Sequence, residues 1–302
     1  MITVLSMSPA IDKRIELDNL HPGETNRALS CHTVGAGKGI NVSLAAKALG
    51  MPVRCIGLLA DKGAAITDLL QRNNVPYHFL PAPGTVRTNL KLYDRAKDRT
   101  TEINEFSPPA SPSLLQAALD MAVAAARESD YLVLTGSLPA DCPSAFYRDV
   151  IHRVHAEASH CRCVLDADGE RLSEGLSAHP WLVKPNLSEL TQLAAAPLST
   201  ENDILSAAKS LLMPRANMAV VSLGGQGALA LAADQVHFAK ALPVVTRTTT
   251  GAGDAMVAGL LHGLSQALAL PAVLRSGIAA ATAHCVHDGD AFLHHEDYLR
   301  FL

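Results

Sequence analysis

Short apolar runs alternate with longer amphipathic runs along most of the chain, and this alternation constrains the fold more than any other feature. Six runs are typical of buried strands, at residues 2–7, 53–59, 131–136, 161–167, 181–186 and 218–224. Eight longer runs are typical of helices, at 38–50, 62–73, 111–129, 143–159, 186–195, 201–213, 253–268 and 271–286. Buried strands that alternate with helices predict a mostly parallel sheet covered on both faces. A chain of 302 residues is long enough to bury the core of such a domain.

Two polar stretches interrupt the alternation, at about residues 11–35 and 85–105. Both are rich in β-forming residues, so they predict antiparallel strands that project from the α/β body as a small lid. Such a lid would close over a ligand at the carboxyl edge of the sheet, where open α/β folds bind ligands. The run PAPG at 81–84 predicts a turn-rich linker into the second lid stretch. Exposed lid edges also favour a homodimer that pairs lid to lid.

Charge and composition exclude several functional classes. A net charge of −4 with one Trp, five Tyr and six Phe argues against a surface that binds nucleic acid or an anionic membrane. The N-terminal residues lack the basic and long apolar regions of a signal peptide, and no apolar run approaches the roughly 18 residues that span a bilayer. Six cysteines without a C-x-x-C pair indicate reduced thiols. We therefore expect a cytoplasmic protein without nucleic-acid or membrane partners.

The stretch TTTGAGDAMVAGL (248–260) places Asp254 directly behind two glycines at the start of a helix-like run. One interpretation is an N-cap, since aspartate accepts hydrogen bonds from free amides at a helix start. The other interpretation is an anion site formed by uncovered glycine amides, with Asp254 as the neighbouring base. These residues alone do not decide between the two.

Other glycine-rich motifs also allow two interpretations. GAGKGIN (35–41) fits neither a P-loop nor a dinucleotide fingerprint, so it is a loop-to-helix turn or a ligand contact through Lys38 and Asn41. VVSLGGQGAL (220–229) is typical of a hairpin turn. TGSLPADCP (135–143) ends a strand in a small turn, and the absence of G-x-S-x-G there gives no support for a serine hydrolase.

LVKPNLSEL (182–190) ends a strand near Lys184 and begins a helix near Asn186. Asn186 and Glu189 share a helical face because they are three residues apart. They form either a capping box or part of a water-rich Mg2+ site held mainly by nucleotide phosphates. His284 and His287 lie on a largely apolar run without a carboxylate cluster, so zinc binding is not expected.

Together these motifs resemble a known family. GAGKGINVSLAAKALG and TTTGAGDAMVAGLLHG are similar to the two signature regions of the PfkB (ribokinase-like) sugar kinases, in the same order and at a similar separation. Each of the motifs between them also resembles a family landmark: TGSLPADCP, VLDADGERL, KPNLSEL and VSLGGQGAL. The resemblance implies a ribokinase-like α/β fold, with a mostly parallel central sheet, helices on both faces and a small β-sheet lid. It implies one kinase domain over residues 1–302.

The resemblance also implies roles in binding the acceptor. SPAIDKRIELDNLHPGETNR and GTVRTNLKL are similar to the 1-phosphofructokinase/tagatose-6-phosphate kinase branch, whose members act on sugars that already carry a phosphate. Arg87 is then expected to bind the substrate phosphate, with Lys38 and Arg27 adding charge. The further residues expected to contact the acceptor are Asp12, Gly37, Asn41, Asn89 and Ser137.

For the transfer step, the resemblance implies that Gly251, Ala252 and Gly253 present backbone amides to the phosphoryl group. Asp254 is expected to accept the proton of the attacking hydroxyl. The residues expected around ATP are Lys184, Asn186, Ser222, Gly224 and Gly227. Asn186 and Glu189 are expected to hold Mg2+ through water. The predicted reaction is phosphoryl transfer from ATP to a ketohexose monophosphate, foremost fructose 1-phosphate to give fructose 1,6-bisphosphate.

Three alternatives stay open on the sequence. The acceptor could instead be tagatose 6-phosphate or fructose 6-phosphate, and Ser8 stands where the branch frequently has asparagine, close to Asp12. A second alternative is a non-catalytic sugar-phosphate sensor on the same fold. A third is a kinase for nucleosides or unphosphorylated sugars, which would not need Arg87.

Overall fold

The computed structural model describes residues 1–287 and 292–302 and shows two sheets with flanking helices. The strands are β1 (Ile2–Ser6), β2 (Ala10–Leu17), β3 (Ser30–Ala36), β4 (Val53–Asp61), β5 (Tyr77–Thr85), β6 (Arg87–Asp94), β7 (Arg99–Asn104), β8 (Tyr131–Thr135), β9 (Arg162–Asp166), β10 (Leu182–Val183), β11 (Met218–Ser222), β12 (Ala228–Ala232) and β13 (Gln235–Ala239). The helices are α1 (Lys38–Ala48), α2 (Ala64–Arg72), α3 (Pro112–Ala126), α4 (Phe146–Glu157), α5 (Gly169–Ser177), α6 (Leu187–Ala194), α7 (Glu201–Ala207), α8 (Ala252–Ser265), α9 (Leu270–Cys285) and α10 (His295–Phe301).

The large sheet has nine strands in the order β13-β12-β11-β10-β9-β8-β1-β4-β5. The strands from β11 to β5 are parallel, and β12 and β13 are added antiparallel at one edge. Neighbouring strand residues point to opposite faces, so Leu132 and Leu134 enter one apolar core while Tyr131 and Val133 enter the other. Helices cover both faces, which confirms the predicted α/β class.

The lid is a separate four-stranded sheet in the order β3-β2-β6-β7. Its strands lie within the two polar stretches, as predicted, but its central pair is parallel. β2 pairs with β6 in parallel, whereas the outer pairs β2–β3 and β6–β7 are antiparallel. The prediction of antiparallel strands throughout was therefore wrong. The reason is that β2 follows β1 and β6 follows β5, so both strands leave the same carboxyl edge of the body in the same direction.

The run PAPG (81–84) was predicted to be a linker, and this prediction was wrong. Residues 81–84 lie inside β5, which is the last strand of the large sheet. The carbonyl of Pro76 accepts the amide hydrogen of Cys55 on β4, and the regular pairing continues as far as Leu59 and Pro81, so alternation points Pro81 away from β4 just before the register shifts. A proline that faces a free sheet edge loses no ladder hydrogen bond, and an edge strand therefore tolerates it.

Further local differences remain, and one of them has a simple cause. The predicted helix at 201–213 is shorter, because α7 continues as a π-helical turn (Ala208–Leu212) and a 3-10 turn (Met213–Arg215) around Pro214, which has no amide to donate. Strand β13 and helix α10 were not predicted, and β12 was expected only as the second arm of the hairpin at 220–229. In the described part of the chain, no helix is long and apolar enough to cross a membrane.

Candidate active site

A cleft of about 1030 Å³ lies between the carboxyl edge of the body sheet and one face of the lid. The structure brings almost the whole predicted set of site residues to its walls: Asp12, Gly37, Lys38, Asn41, Arg87, Asn89, Ser137, Lys184, Asn186, Glu189, Ser222, Gly224, Gly227, Gly251, Ala252, Gly253 and Asp254. Residues that are more than 200 positions apart in sequence, such as Asp12 and Asp254, therefore share one site.

Arg27 is the exception among the predicted residues. It lies exposed in the loop between β2 and β3 and does not line the cleft. The lid sheet is anchored to the body at Ala10 and Ala36, whereas Glu16 and Ser30 pair at its far end. The loop that carries Arg27 follows this far end, which explains its distance from the body.

The glycine turn at residues 248–254 forms one end of the cleft. Gly251 is the N-cap of α8 and has a φ of 94°, which favours glycine. A Cβ atom there would lie 3.0 Å from His284 Nε2, so the turn also has no room for a side chain. Among the described residues, the amides of Gly251 and Gly253 have no hydrogen-bond acceptor, whereas the amide of Ala252 donates to the carbonyl of Thr249. The free amides at a helix N-terminus form an anion site.

Asp254 is not an N-cap, because that position belongs to Gly251 and no side chain caps α8. Its carboxylate is only 5% exposed and accepts a hydrogen bond of 2.8 Å from Asn41 Nδ2. Burial, and then the negative charge of Asp166, raise the pKa of Asp254 to about 7, against the opposing effects of Lys38 and Asn41. A carboxylate with a pKa near neutral pH is well matched to general-base chemistry.

A buried ion cluster that the sequence reasoning missed lies behind this base. Asp166 is 1% exposed, and its two carboxylate oxygens lie 3.1 Å from Lys184 Nζ and 3.8 Å from Lys38 Nζ. Thr135 Oγ1 donates a further hydrogen bond to Asp166. Burial raises the pKa of Asp166, but the two lysines outweigh it and hold that pKa below its usual value. Asp166 was detectable as an acid at the carboxyl end of a predicted strand, within VLDADG.

The lid supplies the other end of the cleft. Asp12 on β2 accepts hydrogen bonds from Lys91 Nζ (2.6 Å) and Asn89 Nδ2 (2.9 Å) on β6. Arg87 donates long bonds of 3.2 Å to Asn89 Oδ1 and 3.3 Å to the Ser8 carbonyl. Its Nε atom is buried and has no partner in the described residues. A buried donor without an acceptor is costly, so it points to a ligand that supplies one.

Lys91, Glu102 and Asn104 also line the cleft and were not predicted. Lys91 could have been predicted from the alternation of side chains along β6, which places residues 87, 89 and 91 on one face. Glu102 and Asn104 pair with Lys91 and Asn89 across the lid sheet, so the register of β7 was needed to find them.

Asn186 and Glu189 form the capping box that the sequence allowed. Asn186 Oδ1 accepts the Glu189 amide at 2.9 Å, and Glu189 Oε2 accepts the Asn186 amide at 2.8 Å. Burial raises the pKa of the Glu189 carboxyl. Within the described residues, no group of three or more His, Cys, Asp or Glu residues could hold a metal ion. The donor set at this position therefore fits a cation that keeps most of its ligands as water or phosphate oxygens.

The motif VVSLGGQGAL forms the hairpin that was predicted. β11 and β12 are antiparallel and are joined by a 3-10 turn (Gly224–Gln226). Gly227 has a φ of 110°, and a Cβ atom there would lie 2.0 Å from the Ala239 carbonyl oxygen. Beyond the turn, the cleft wall is apolar and includes Leu242, Pro243, Val244, Ile278 and Ala281. An apolar wall beside a glycine turn suits a flat aromatic base.

The chain belongs to the pfkB family of carbohydrate kinases, whose family model matches residues 3–295. It is a kinase that transfers a phosphoryl group from ATP to a sugar, which confirms the predicted family and enzyme class.

Relatives and solved structures agree with this assignment. The chain is 35% identical over 268 residues to 1-phosphofructokinase from Xanthomonas campestris pv. campestris, covering 87% of this chain and 83% of the relative. It is 31% identical to 1-phosphofructokinase from Escherichia coli K12, covering 93% and 89%. The structure of phosphofructokinase-2 from Escherichia coli in complex with potassium superposes with a TM-score of 0.92 at 28% identity, covering 99% of this chain and 97% of that one. The same enzyme in complex with fructose-6-phosphate gives a TM-score of 0.90 at 26% identity, with the same coverage.

Proposed function

We propose that the protein is a 1-phosphofructokinase, which transfers the γ-phosphoryl group of ATP to the free primary hydroxyl of fructose 1-phosphate to give fructose 1,6-bisphosphate. The relatives named 1-phosphofructokinase, at 29–35% identity over most of the chain, support the acceptor. The observation that carries the proposal is the unpartnered, buried Nε of Arg87 at the lid end of the cleft. A phosphate on the acceptor supplies the oxygen that this donor lacks, and its charge suits a guanidinium.

The sugar lies between this phosphate contact and the glycine turn. Asp12 and Asn89 are held together on the lid, and Asn41 and Ser137 line the body side of the same cleft. These groups offer both acceptors and donors to the sugar hydroxyls. The acceptor is thus bound at its phosphate end by the lid and presents its free hydroxyl to Asp254.

In the transfer step, the acceptor hydroxyl oxygen forms a bond to the γ-phosphorus while the bond to the β–γ bridging oxygen breaks. Asp254 takes the hydroxyl proton, and Asn41 orients the carboxylate through its hydrogen bond. The amides of Gly251 and Gly253 receive the equatorial oxygens of the transferred group. Lys38 and Lys184, paired through Asp166, add positive charge on the same side.

We further propose that ATP lies along Ser222, Gly224 and Gly227, with its base against the apolar wall beyond the turn. Asn186 and Glu189 would hold Mg2+ through water, because the capping box already uses the only side-chain oxygen of Asn186 and one of the two carboxylate oxygens of Glu189. When bound, the ion would neutralise charge on the phosphates during transfer.

Fructose 6-phosphate is the second candidate acceptor, and a specific observation favours it. The phosphofructokinase-2 structure determined with fructose-6-phosphate covers almost the whole of this chain. Both sugars offer a phosphate at one end and a primary hydroxyl at the other, so Arg87 alone does not separate them.

An ADP-release assay with Mg-ATP, offering fructose 1-phosphate, fructose 6-phosphate, tagatose 6-phosphate and free fructose separately, tests the proposal. We expect kcat/KM for fructose 1-phosphate to exceed that for each other sugar by more than about tenfold. A larger kcat/KM for fructose 6-phosphate or tagatose 6-phosphate would identify that sugar as the acceptor and would not affect the proposed mechanism of transfer. Turnover of free fructose at the same rate as fructose 1-phosphate would show that Arg87 does not bind a substrate phosphate.

We also propose a homodimer through the lid. The face of the lid that points away from the cleft carries an apolar group formed by Ile15, Cys31, Leu90, Leu92 and Ile103, beside the polar residues Lys13, Thr33, Thr88 and Thr101. Such a face is stabilised when a second copy covers it. Light scattering at micromolar concentration should give twice the chain mass for the wild type and the monomer mass for Leu90→Asp. A monomeric wild type would refute the dimer.

The free thiols support a proposal for the cellular location. All six cysteines are free in the structure, three of them buried. We propose a cytoplasmic location, where thiols stay reduced.

A further inference from the structure

Two serine hydroxyls meet where the lid joins the body, although nothing in the proposed mechanism uses them. Ser8 lies between β1 and β2, and Ser107 lies between β7 and α3. Their Oγ atoms are 2.5 Å apart and share a hydrogen bond between residues 99 positions apart in sequence. Ser8 is 8% exposed and lines a small cavity whose other side chains are all apolar. Ser107 therefore satisfies a hydroxyl that water hardly reaches.

This serine pair spans the start of β6, because β6 lies between β2 and β7 in the lid sheet. Arg87 is the first residue of β6, and its neighbours in the chain are fixed on both sides. The Val86 amide donates to the Asp61 carbonyl of the body. The Thr88 amide donates to Glu105 Oε2, just beyond β7. The backbone of Arg87 is therefore held, and the direction of its guanidinium has to be set separately.

Ser8 contributes to that direction through its backbone. Arg87 Nη2 donates to the Ser8 carbonyl oxygen at 3.3 Å and Nη1 donates to Asn89 Oδ1 at 3.2 Å, which leaves the buried Nε for a ligand. Within residues 1–287 and 292–302, no backbone–backbone hydrogen bond holds Ser8. The position of its carbonyl therefore depends on packing and on the bond between its hydroxyl and Ser107.

We propose that Ser8 and Ser107 are positioning residues for Arg87 and thereby set the affinity for the acceptor phosphate; this inference rests on the proposed role of Arg87. The hydroxyl bond holds the Ser8 carbonyl, and the carbonyl holds one end of the guanidinium. The Nε atom then points to the phosphate in a fixed direction. A donor that is already ordered binds its ligand more tightly than one that must be ordered on binding.

Removal of either hydroxyl tests the serine pair. With the sugar phosphate that gives the highest turnover, KM should rise about 3- to 10-fold in S8A and in S107A, as expected for one neutral hydrogen bond. The kcat value and KM for ATP should change less than about twofold. S113A is the matched control, because Ser113 also shares a hydrogen bond with a serine hydroxyl, that of Ser111, but at an exposed site. An unchanged KM in S8A and S107A, or a fall of kcat instead, would overturn the proposal.

Double variants show whether the serines act through Arg87, which a purely structural role would not require. Once the guanidinium is gone, loss of the Ser8 hydroxyl has nothing left to disturb, so S8A/R87M should have the same KM for the sugar phosphate as R87M. S8A/S107A should be no worse than either single variant, because both substitutions remove the same bond. Additive losses in either double variant would overturn the proposal.

The order of the guanidinium can be measured without any activity. In 15N-arginine-labelled protein, the Nε–H signal of Arg87 is assigned by its disappearance in R87M. Its hydrogen exchange with water should be at least about threefold faster in S8A and S107A than in the wild type and S113A, and equal rates would overturn the proposal. Failure of the proposed function would appear instead as absent ADP release in the wild type, with this difference in exchange still present.

Discussion

The two ends of the cleft are built on different physical principles. At the glycine turn, Asp254, Asp166 and Lys184 are buried in the body, where Lys184 pairs with Asp166 and Asn41 holds Asp254 by a hydrogen bond. At the lid, Asp12 and Lys91 remain 18% and 19% exposed, and Arg87 keeps an unused donor. Charges in a water-poor environment act strongly on a reacting group, whereas partly solvated charges exchange readily between water and ligand.

The difference assigns separate tasks to the two ends. The buried end supplies what phosphoryl transfer to any alcohol requires, namely a base and an anion site. The lid end supplies what distinguishes one acceptor from another. Changes at the glycine turn should therefore reduce kcat with every acceptor, and changes at the lid should act on KM and only for phosphorylated sugars.

The largest expected effect is that of D254N at the buried end. Without the base, kcat should fall by about 10²- to 10⁴-fold with each accepted sugar, while ATP binding measured by calorimetry stays unchanged. D203N is the matched control, because Asp203 also occupies the third position of a helix and serves only a capping box. Near-normal turnover in D254N would show that Asp254 is not the catalytic base.

R87M should show the next largest effect, confined to the lid end. Loss of the charge-assisted hydrogen bonds to the phosphate should raise KM for the sugar phosphate about 10- to 100-fold, since such bonds contribute about 1.5–3 kcal/mol each. Any weak activity on free fructose should not change. R95M, at an exposed lid arginine that pairs with Glu16, should behave as wild type. A fall in kcat with unchanged KM would show instead that Arg87 takes part in phosphoryl transfer rather than in binding the acceptor.

The raised pKa of Asp254 predicts an acidic limb. The base must be ionised, so kcat/KM should fall about tenfold for each pH unit below the pKa of about 7. The substrate phosphate also titrates near pH 6. D166N distinguishes the titration of Asp254 from that of the substrate phosphate. Removing the negative charge of Asp166 should move an acidic limb caused by Asp254 to lower pH, whereas a limb caused by the substrate phosphate would not move.

The smallest effect is expected for K91M. Lys91 pairs with Asp12, so its loss leaves a partly exposed carboxylate without its cation. KM for the sugar phosphate should rise about 3- to 10-fold, with kcat and KM for ATP unchanged, and K47M on the surface of α1 should show no effect. An equal loss of kcat would mean that the two ends of the cleft are coupled.

The sequence predicts the glycine-turn end of the cleft and the lid end to different extents. The α/β class follows from strand and helix periodicity. The glycine turn with Asp254 is contiguous in sequence, so local pattern located it, but only the family resemblance favoured a base over an N-cap. The Asp166 cluster joins residues 38, 135, 166 and 184, which meet only when parallel strands align their carboxyl ends. Glu102 and Asn104 depend on the register of β7 against β6. Sequence pattern does not determine such register. It also did not indicate that the length of the lid carries Arg27 away from the cleft of its own chain.

Pro81 of β5 also affects how the protein behaves at high concentration. Because Pro81 presents no amide at that free edge of the large sheet, a strand from another molecule finds one donor fewer there. Edge-to-edge growth, the usual beginning of β-aggregation, is thereby obstructed at that side of the body. We expect P81A to keep full catalytic activity and to aggregate faster on heating.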